Sequence, residues 1–192
     1  MVKNIMIVGV GGQGSLLASR IVGNAAMAEG YDVKVSEVHG MSQRGGSVVT
    51  YVRYGDKVYS PVIGEGEADI ILSFEQLEGA RWLSYLKKDG VLITSTQKIM
   101  PMPVITGAVE YPTQLIERMR ERTVKVIAVD ALNMAQEAGS IKAVNVVLIG
   151  LMTHYGDFSK QQLIAALEKS VPQKLLDINL KAFELGYNSI NE

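Results

Sequence analysis

Cysteine is absent from this 192-residue chain. With it go disulfides, a thiol nucleophile and any zinc or iron–sulfur cluster held by cysteines of this chain, so a cluster has to sit on a partner. Excess charge of either sign is also missing: 19 basic and 20 acidic residues leave a formal net charge of −1. No broad basic face is available for a phosphate backbone, which argues against nucleic acid as a ligand. Long hydrophobic runs are lacking too. The longest outside the N-terminus, AVNVVLIGLM at residues 143–152, falls well short of the roughly 20 residues of a membrane span. The N-terminal stretch MVKNIMIVGVGGQG shows no small-residue cleavage pattern and runs into a glycine turn, so it reads as a first strand. With 47% hydrophobic residues and no repeat, low-complexity segment or linker, residues 1–192 read as a single soluble, cytoplasmic domain.

What is present is an alternation of strand and helix patterns. Residues 5–8 form an apolar strand run. Across residues 13–29, Leu16, Leu17, Ile21, Val22, Ala25 and Ala26 recur at helical spacing, and Gly30 closes the helix. DVKVSEV supplies a second strand, predicted to lie parallel to the first through a right-handed crossover. SVVTYVRYGDKVYSPVI then reads as two strands around a YGDK turn at Gly55 and Asp56. Further strands are expected at 70–73, 91–95 and 124–129, with helices at 75–86 and 113–122. Pro101, Pro103 and Pro112 punctuate one long connection. The last third is helical: 142–154, a helix opened by a Ser159/Gln162 capping box, and one opened by Pro172 and ended at Gly186. The predicted fold is α/β, a three-layer Rossmann-like, mostly parallel sheet with an antiparallel hairpin insertion and a helical C-terminal part.

Two segments stand out as candidate sites. GVGGQG matches G-x-G-x-x-G through Gly9, Gly11 and Gly14, with Gly12 and Gln13 between, and it lies between a strand and a helix. Glycines let the backbone approach a phosphate, and a helix start offers free N–H groups. Glu37, 23 residues after Gly14, has the position of a ribose-binding acid. The same features serve equally as a tight strand-to-helix turn beside an ordinary strand-end carboxylate. No Tyr-x-x-x-Lys pair accompanies them. The second segment, EVHGMSQRGG, places His39, Ser42, Gln43 and Arg44 beside Gly45 and Gly46. Arg44 offers a planar fork for a carboxylate or phosphate, the glycines can expose N–H groups, and His39 can exchange a proton near neutral pH. Both segments should share the surface at the carboxyl ends of the strands, where open α/β sheets bind ligands.

Other signals are weaker. Met41, Met100 and Met102 are candidates for an adaptable partner contact, with Met100 better suited to the core. His154 has no nearby second ligand and reads as no metal site. Trp82 and Leu86 sit four apart on an expected helix face, and ERMRER at 117–122 reads as a solvated helix surface.

GVGGQG, EVHGMSQRGGSV, VYSPVI, VDALNMAQEAG and NVVLIG together resemble the gamma-type subunit of the 2-oxoacid:ferredoxin oxidoreductase family, the pyruvate/ketoisovalerate oxidoreductase catalytic domain, most closely its indolepyruvate branch. The resemblance spans essentially the whole chain. It implies a role in CoA-dependent oxidative decarboxylation of a 2-oxoacid with ferredoxin as acceptor, in a complex whose larger subunit carries thiamine diphosphate and Fe-S clusters. Consistent with that division, the sequence has no Gly-Asp-Gly followed by an Asn at thiamine spacing. The chain is then inactive alone, with no catalytic residue and no metal of its own, and with a homodimer as a possible isolated state. Its glycine turn and the 39–46 loop would complete an intersubunit site. Two alternatives stand beside it: an independent NAD-binding dehydrogenase and a non-catalytic dimeric interaction module.

Overall fold

In the computed structural model, residues 1–40, 45–122 and 125–190 are described. Six strands form one sheet in the order β2-β3-β1-β4-β5-β6: β1 (Val2–Val10), β2 (Asp32–His39), β3 (Ser47–Gly55), β4 (Ala68–Ser73), β5 (Leu86–Ser95) and β6 (Val126–Val129). Only β3 runs against the rest, pairing antiparallel with both β1 and β2, while β1, β4, β5 and β6 are mutually parallel. Side chains of β1 alternate between two cores, as a strand covered on both faces requires. Ile5 and Ile7 join the larger core, which is closed by α1 (Ser15–Ala28), α5 (Ala131–Ala138), α6 (Val144–Met152), α7 (Lys160–Ser170) and α8 (Leu176–Tyr187). Met6 and Val8 join the smaller one, under α2 (Gln76–Arg81) and α4 (Leu115–Arg122). A single-turn helix, α3 (Met102–Ile105), interrupts the proline-rich connection between β5 and α4. No helix among the described residues is long and apolar enough to cross a membrane.

The three-layer, mostly parallel architecture is as expected, and the hairpin is there, but it is built from other strands. β2 and β3 are its two arms, in register from Asp32↔Gly55 to His39↔Val48, and YGDK ends β3 instead of turning it. The backbone beyond Gly55 finds its partners in side chains: Asp32 accepts from Val58 N at 2.9 Å, and Arg53 donates to the carbonyls of Ser60 and Val62. β1 and β2 are parallel, as expected, but they are not paired: β3 lies between them. Burial explains the order: β3 is buried at Val48, Val49, Tyr51, Val52 and Tyr54, whereas β2 leaves Val35 and Val38 exposed. A strand apolar on both faces takes the interior position, and one rich in charge takes the edge.

Several boundaries move for local reasons. α1 ends in a Schellman motif, with Gly30 at φ 83° and Tyr31 N donating to Ala26 O. The helix expected at 75–86 stops at Arg81, and Leu86 begins β5, so Trp82 and Leu86 do not share a helix face. α5, unforeseen in the sequence, starts where the Asp130 carboxylate caps Asn133 N at 3.0 Å and stops at left-handed Gly139. The Ser159/Gln162 capping box is formed. Gly186 lies inside α8 instead of ending it: a Cβ there would sit 1.8 Å from Val147 O of α6. Among the described residues His154 belongs to no ligand cluster; its Nε2 lies 2.7 Å from Tyr187 O and its ring stacks on Tyr187.

Candidate functional site: a braced glycine rim at the strand ends

The GVGGQG segment begins inside β1 and ends as α1 begins. Gly9 belongs to the strand, where a Cβ would meet Gln13 Oε1 at 2.9 Å and the Phe74 side chain. Gly12 and Gly14 take φ values of 103° and 87°, a left-handed conformation that favours glycine. Gln13 turns inward: its Oε1 accepts from Val10 N at 2.8 Å, and its Nε2 donates to Phe74 O at 3.0 Å and to Gln97 Oε1 at 3.2 Å. It is a brace between the turn and the ends of β4 and β5, and its amide has little left to offer a ligand. Asn145 braces the other side. Buried on α6, it donates through Nδ2 to Gly14 O at 3.0 Å.

The two candidate segments do meet. Gly11 N donates to Gly46 O at 2.8 Å, and Gly45 N lies 3.4 Å from Gly11 O. Gly45 is left-handed, at φ 76°. His39 ends β2 exposed, with Nδ1 3.0 Å from Gly40 O. Ser42, Gln43 and Arg44, with Met41, lie outside the described residues.

Between the turn and β2 lies a cleft of about 380 Å³, lined by Gly11, Gly12, Gly14, Ser15, Leu16, Glu37, His39 and Val48. Glu37 does not point freely into it. Its Oε2 accepts from Ser15 Oγ at 2.7 Å and from Thr50 Oγ1 at 3.0 Å, which holds a carboxylate against the first turn of α1. That carboxylate favours the positive helix end and opposes a second anion there. Among the described lining residues, only His39 could offset it. The NAD geometry is weakened twice over: β2 is displaced one strand from β1, and its acid is already bonded to the protein.

A second polar cluster was not visible in the sequence. At the start of α2, Glu75 is 1% exposed and Glu78 5% exposed. Glu75 accepts from Glu78 N (2.9 Å), Ile99 N (3.3 Å) and the Tyr111 hydroxyl. Glu78 accepts from Ser47 Oγ and pairs with Arg81 Nε at 3.2 Å, so it anchors the residue that follows Gly46. Burial pushes the Glu78 carboxyl above its ordinary range, partly countered by the Ser47 hydroxyl and by Arg81. Burial and the Glu75 carboxylate push the Tyr111 phenol up as well. Nothing local marks Glu75 and Glu78 as different from a solvated helix start. Asn145 did leave a trace, as a lone amide in an apolar helix that requires a partner.

The rim is built of backbone glycines, and its Gln13 and Glu37 side chains are bonded within the chain. A model of the Pyruvate ferredoxin/flavodoxin oxidoreductase family matches residues 4–189. The chain belongs to that family. It is similar to the indolepyruvate oxidoreductase subunit IorB of Thermococcus kodakarensis, at 46% identity over 98% of this chain and 96% of that one. It also matches the crystal structure of a keto/oxoacid ferredoxin oxidoreductase gamma subunit from Geobacter sulfurreducens, with a TM-score of 0.71 and 25% identity over 96% of both chains. In the ketoisovalerate oxidoreductase subunit VorA of Methanothermobacter marburgensis, 27% identical, 95% of this chain aligns to 35% of a longer polypeptide. The family's small chain therefore recurs both alone and as part of a larger one, and a larger partner subunit is implied. Among the described residues no group of three His, Asp or Glu side chains is placed to hold a metal ion.

Proposed function

We propose that the chain is the small subunit of an indolepyruvate-type 2-oxoacid:ferredoxin oxidoreductase and works only in complex with a larger subunit. The observation that carries this is the 46% identity to IorB along nearly the whole of both chains. In the complex, thiamine diphosphate would supply the decarboxylation chemistry and the Fe-S clusters the electron path. The residues of this chain do not fit either group: it has no cysteine and no thiamine motif, so both belong to the partner.

The contribution of this chain is a wall. The Gly9–Gly14 turn and the 39–46 loop face the larger subunit and complete the cavity in which the 2-oxoacid and coenzyme A meet. The bonds between Gly11, Gly45 and Gly46 hold the two loops as one surface, which presents a preorganised wall and excludes water. Arg44 offsets a carboxylate or phosphate charge that the Glu37 side of the cleft would repel. His39, exposed at the cleft edge, donates a hydrogen bond.

The test is co-expression with a larger subunit of the family, followed by an assay of indolepyruvate-dependent viologen reduction with and without coenzyme A. The expected result is an oxygen-sensitive, brown complex that is active only when both chains are present. Arg44→Ala should weaken the coenzyme A dependence while the complex still forms. Unchanged assembly together with unchanged coenzyme A dependence would remove the 39–46 loop from the site.

A further inference from the structure

Beside the glycine rim lies a second groove, of about 430 Å³, whose lining runs from Gly46 and Leu77 to Met100, Met102 and Ile105 and includes the Glu78–Arg81 pair. Its lining is chiefly apolar. The segment that carries α3 exposes Met100 (44%), Met102 (65%), Ile105 (65%) and Val109 (56%), so Met100 belongs to the surface and not to the core. Three of these, Met100, Met102 and Ile105, line the groove together, and clustered exposed apolar side chains mark interaction surfaces.

The display is held in place. Gln76 binds the start of the arm through its backbone N to Gln97 O and through Nε2 to Thr96 O. Buried Glu75 then receives both Ile99 N and the Tyr111 hydroxyl. Within the arm, Val104 N and Ile105 N bond to Pro101 O, and Ala108 N bonds to Pro103 O. The prolines shape the turn and the carboxylate clamps its ends, so the apolar side chains stay outward instead of collapsing onto their own core. One ion pair, Glu78–Arg81, lines the same groove, and its cation is the exposed member. Arg81 spends Nε on Glu78, its side chain is 51% exposed, and among the described residues Glu78 is its ion-pair partner. The other guanidinium nitrogens remain for an external carboxylate.

We infer that this groove docks an apolar segment of the larger subunit that carries an acidic residue opposite Arg81. The inference rests on the function proposed above and adds to it the surface of attachment. Three features favour that occupant. The groove is lined by Gly45 and Gly46 of the glycine rim as well as by Met100, Met102 and Ile105 of the arm, so a chain that completes the rim borders the groove. In the VorA relative this domain is part of a longer polypeptide of which it makes up about a third, so a larger polypeptide accompanies the domain there. Methionine adapts to an imperfectly matched apolar surface, and a half-exposed guanidinium paired through Nε alone among the described residues can fix register by charge complementarity.

The experiment uses the co-expressed complex. Met102→Glu combined with Ile105→Glu changes only exposed side chains, so the isolated chain should keep its circular dichroism spectrum and Tm. Capture of the larger subunit should fall about tenfold or more. Arg81→Glu should cause a smaller loss that deepens at low salt, where like-charge repulsion is least screened. Met27→Glu, equally exposed at the far end of α1, should leave capture unchanged. Peroxide oxidation of Met100 and Met102 should slow severalfold on assembly. Wild-type capture by the double variant, equal loss in Met27→Glu, or unprotected methionines in the complex would overturn the inference while leaving the proposed function standing. Protection of the arm by self-association of the isolated chain, seen in sedimentation, would assign the groove to a second copy and overturn it as well. Failure of the wild-type chain to capture any larger subunit would sink the proposed function itself, and the docking assignment with it.

Discussion

The α6–α8 contact and the glycine rim both depend on glycine, for opposite physical reasons. At Gly150 and Gly186 the issue is space: a Cβ would come within 2.1 Å of Phe183 O and 1.8 Å of Val147 O, so the two helix backbones approach more closely than any side chain permits. At Gly12 and Gly45 there is nothing within 4 Å of the missing Cβ, and the requirement is conformational, with φ at 103° and 76°. The helix contact shows glycine making a core denser. The rim shows glycine keeping a surface bare while bending it. Gly14 answers to both demands, being left-handed and also 2.4 Å, at its missing Cβ, from Asn145 Nδ2. It is the point where the packed half of the molecule takes hold of the open half.

The largest effect should come from forcing a methyl into the helix contact. Gly186→Ala has only backbone to push against, and urea unfolding should show a loss of about 3 kcal/mol, the upper end of overpacking penalties. The rim should respond in a graded way. Gly14→Ala meets both strain and the Asn145 amide and should cost about 2 kcal/mol, whereas Gly12→Ala meets strain alone and should cost about 1 kcal/mol. Equal losses at Gly12 and Gly14 would mean that Asn145 yields freely and that α6 does not grip the turn. The smallest effect concerns pH. The folded Glu78 carboxyl titrates above its ordinary value of 4.5, chiefly because it is buried. In the interval between the unfolded and folded values the native chain holds this proton more tightly, so its contribution to stability is complete below the interval and is lost as pH rises through it. Glu78→Gln carries no such proton. Its stability relative to the parent chain should therefore rise from about pH 4 upward and level off. A difference that stays constant across a urea series at several pH values would show that Ser47 and Arg81 cancel the burial.

The parts of the molecule that were readable in the sequence are those written by neighbours along the chain. Residues 13–29 show helical periodicity because α1 packs one face on the sheet, and Gly30 and the Ser159/Gln162 box act within a single turn of their helices. The insertion of β3 between β1 and β2 is not local. It follows from comparing how much apolar surface each strand can bury, and the pairing Val2↔Gly55 joins residues far apart in sequence. At the site, the meeting of the two glycine segments followed from their shared position at the strand ends. The inward turn of Gln13 and the burial of Glu75 and Glu78 did not, because an amide or carboxylate at a helix start reads the same whether water or protein surrounds it. His39, expected in the loop, is instead the last residue of β2 and lies exposed at the cleft edge.

The intercalated β3 also limits when β2 can pair. Among the described residues β2 has one hydrogen-bonded neighbour, and that neighbour is not the strand to which α1 connects it. During folding, α1 can settle on β1 while β2 still has no ladder to join. β2 can join the sheet only once β3 has entered it, or together with β3 as a closed hairpin, because β3 is its ladder partner. The connection from β2 to β3, proposed above to face the larger subunit, is therefore also the link through which the edge strand reaches its place.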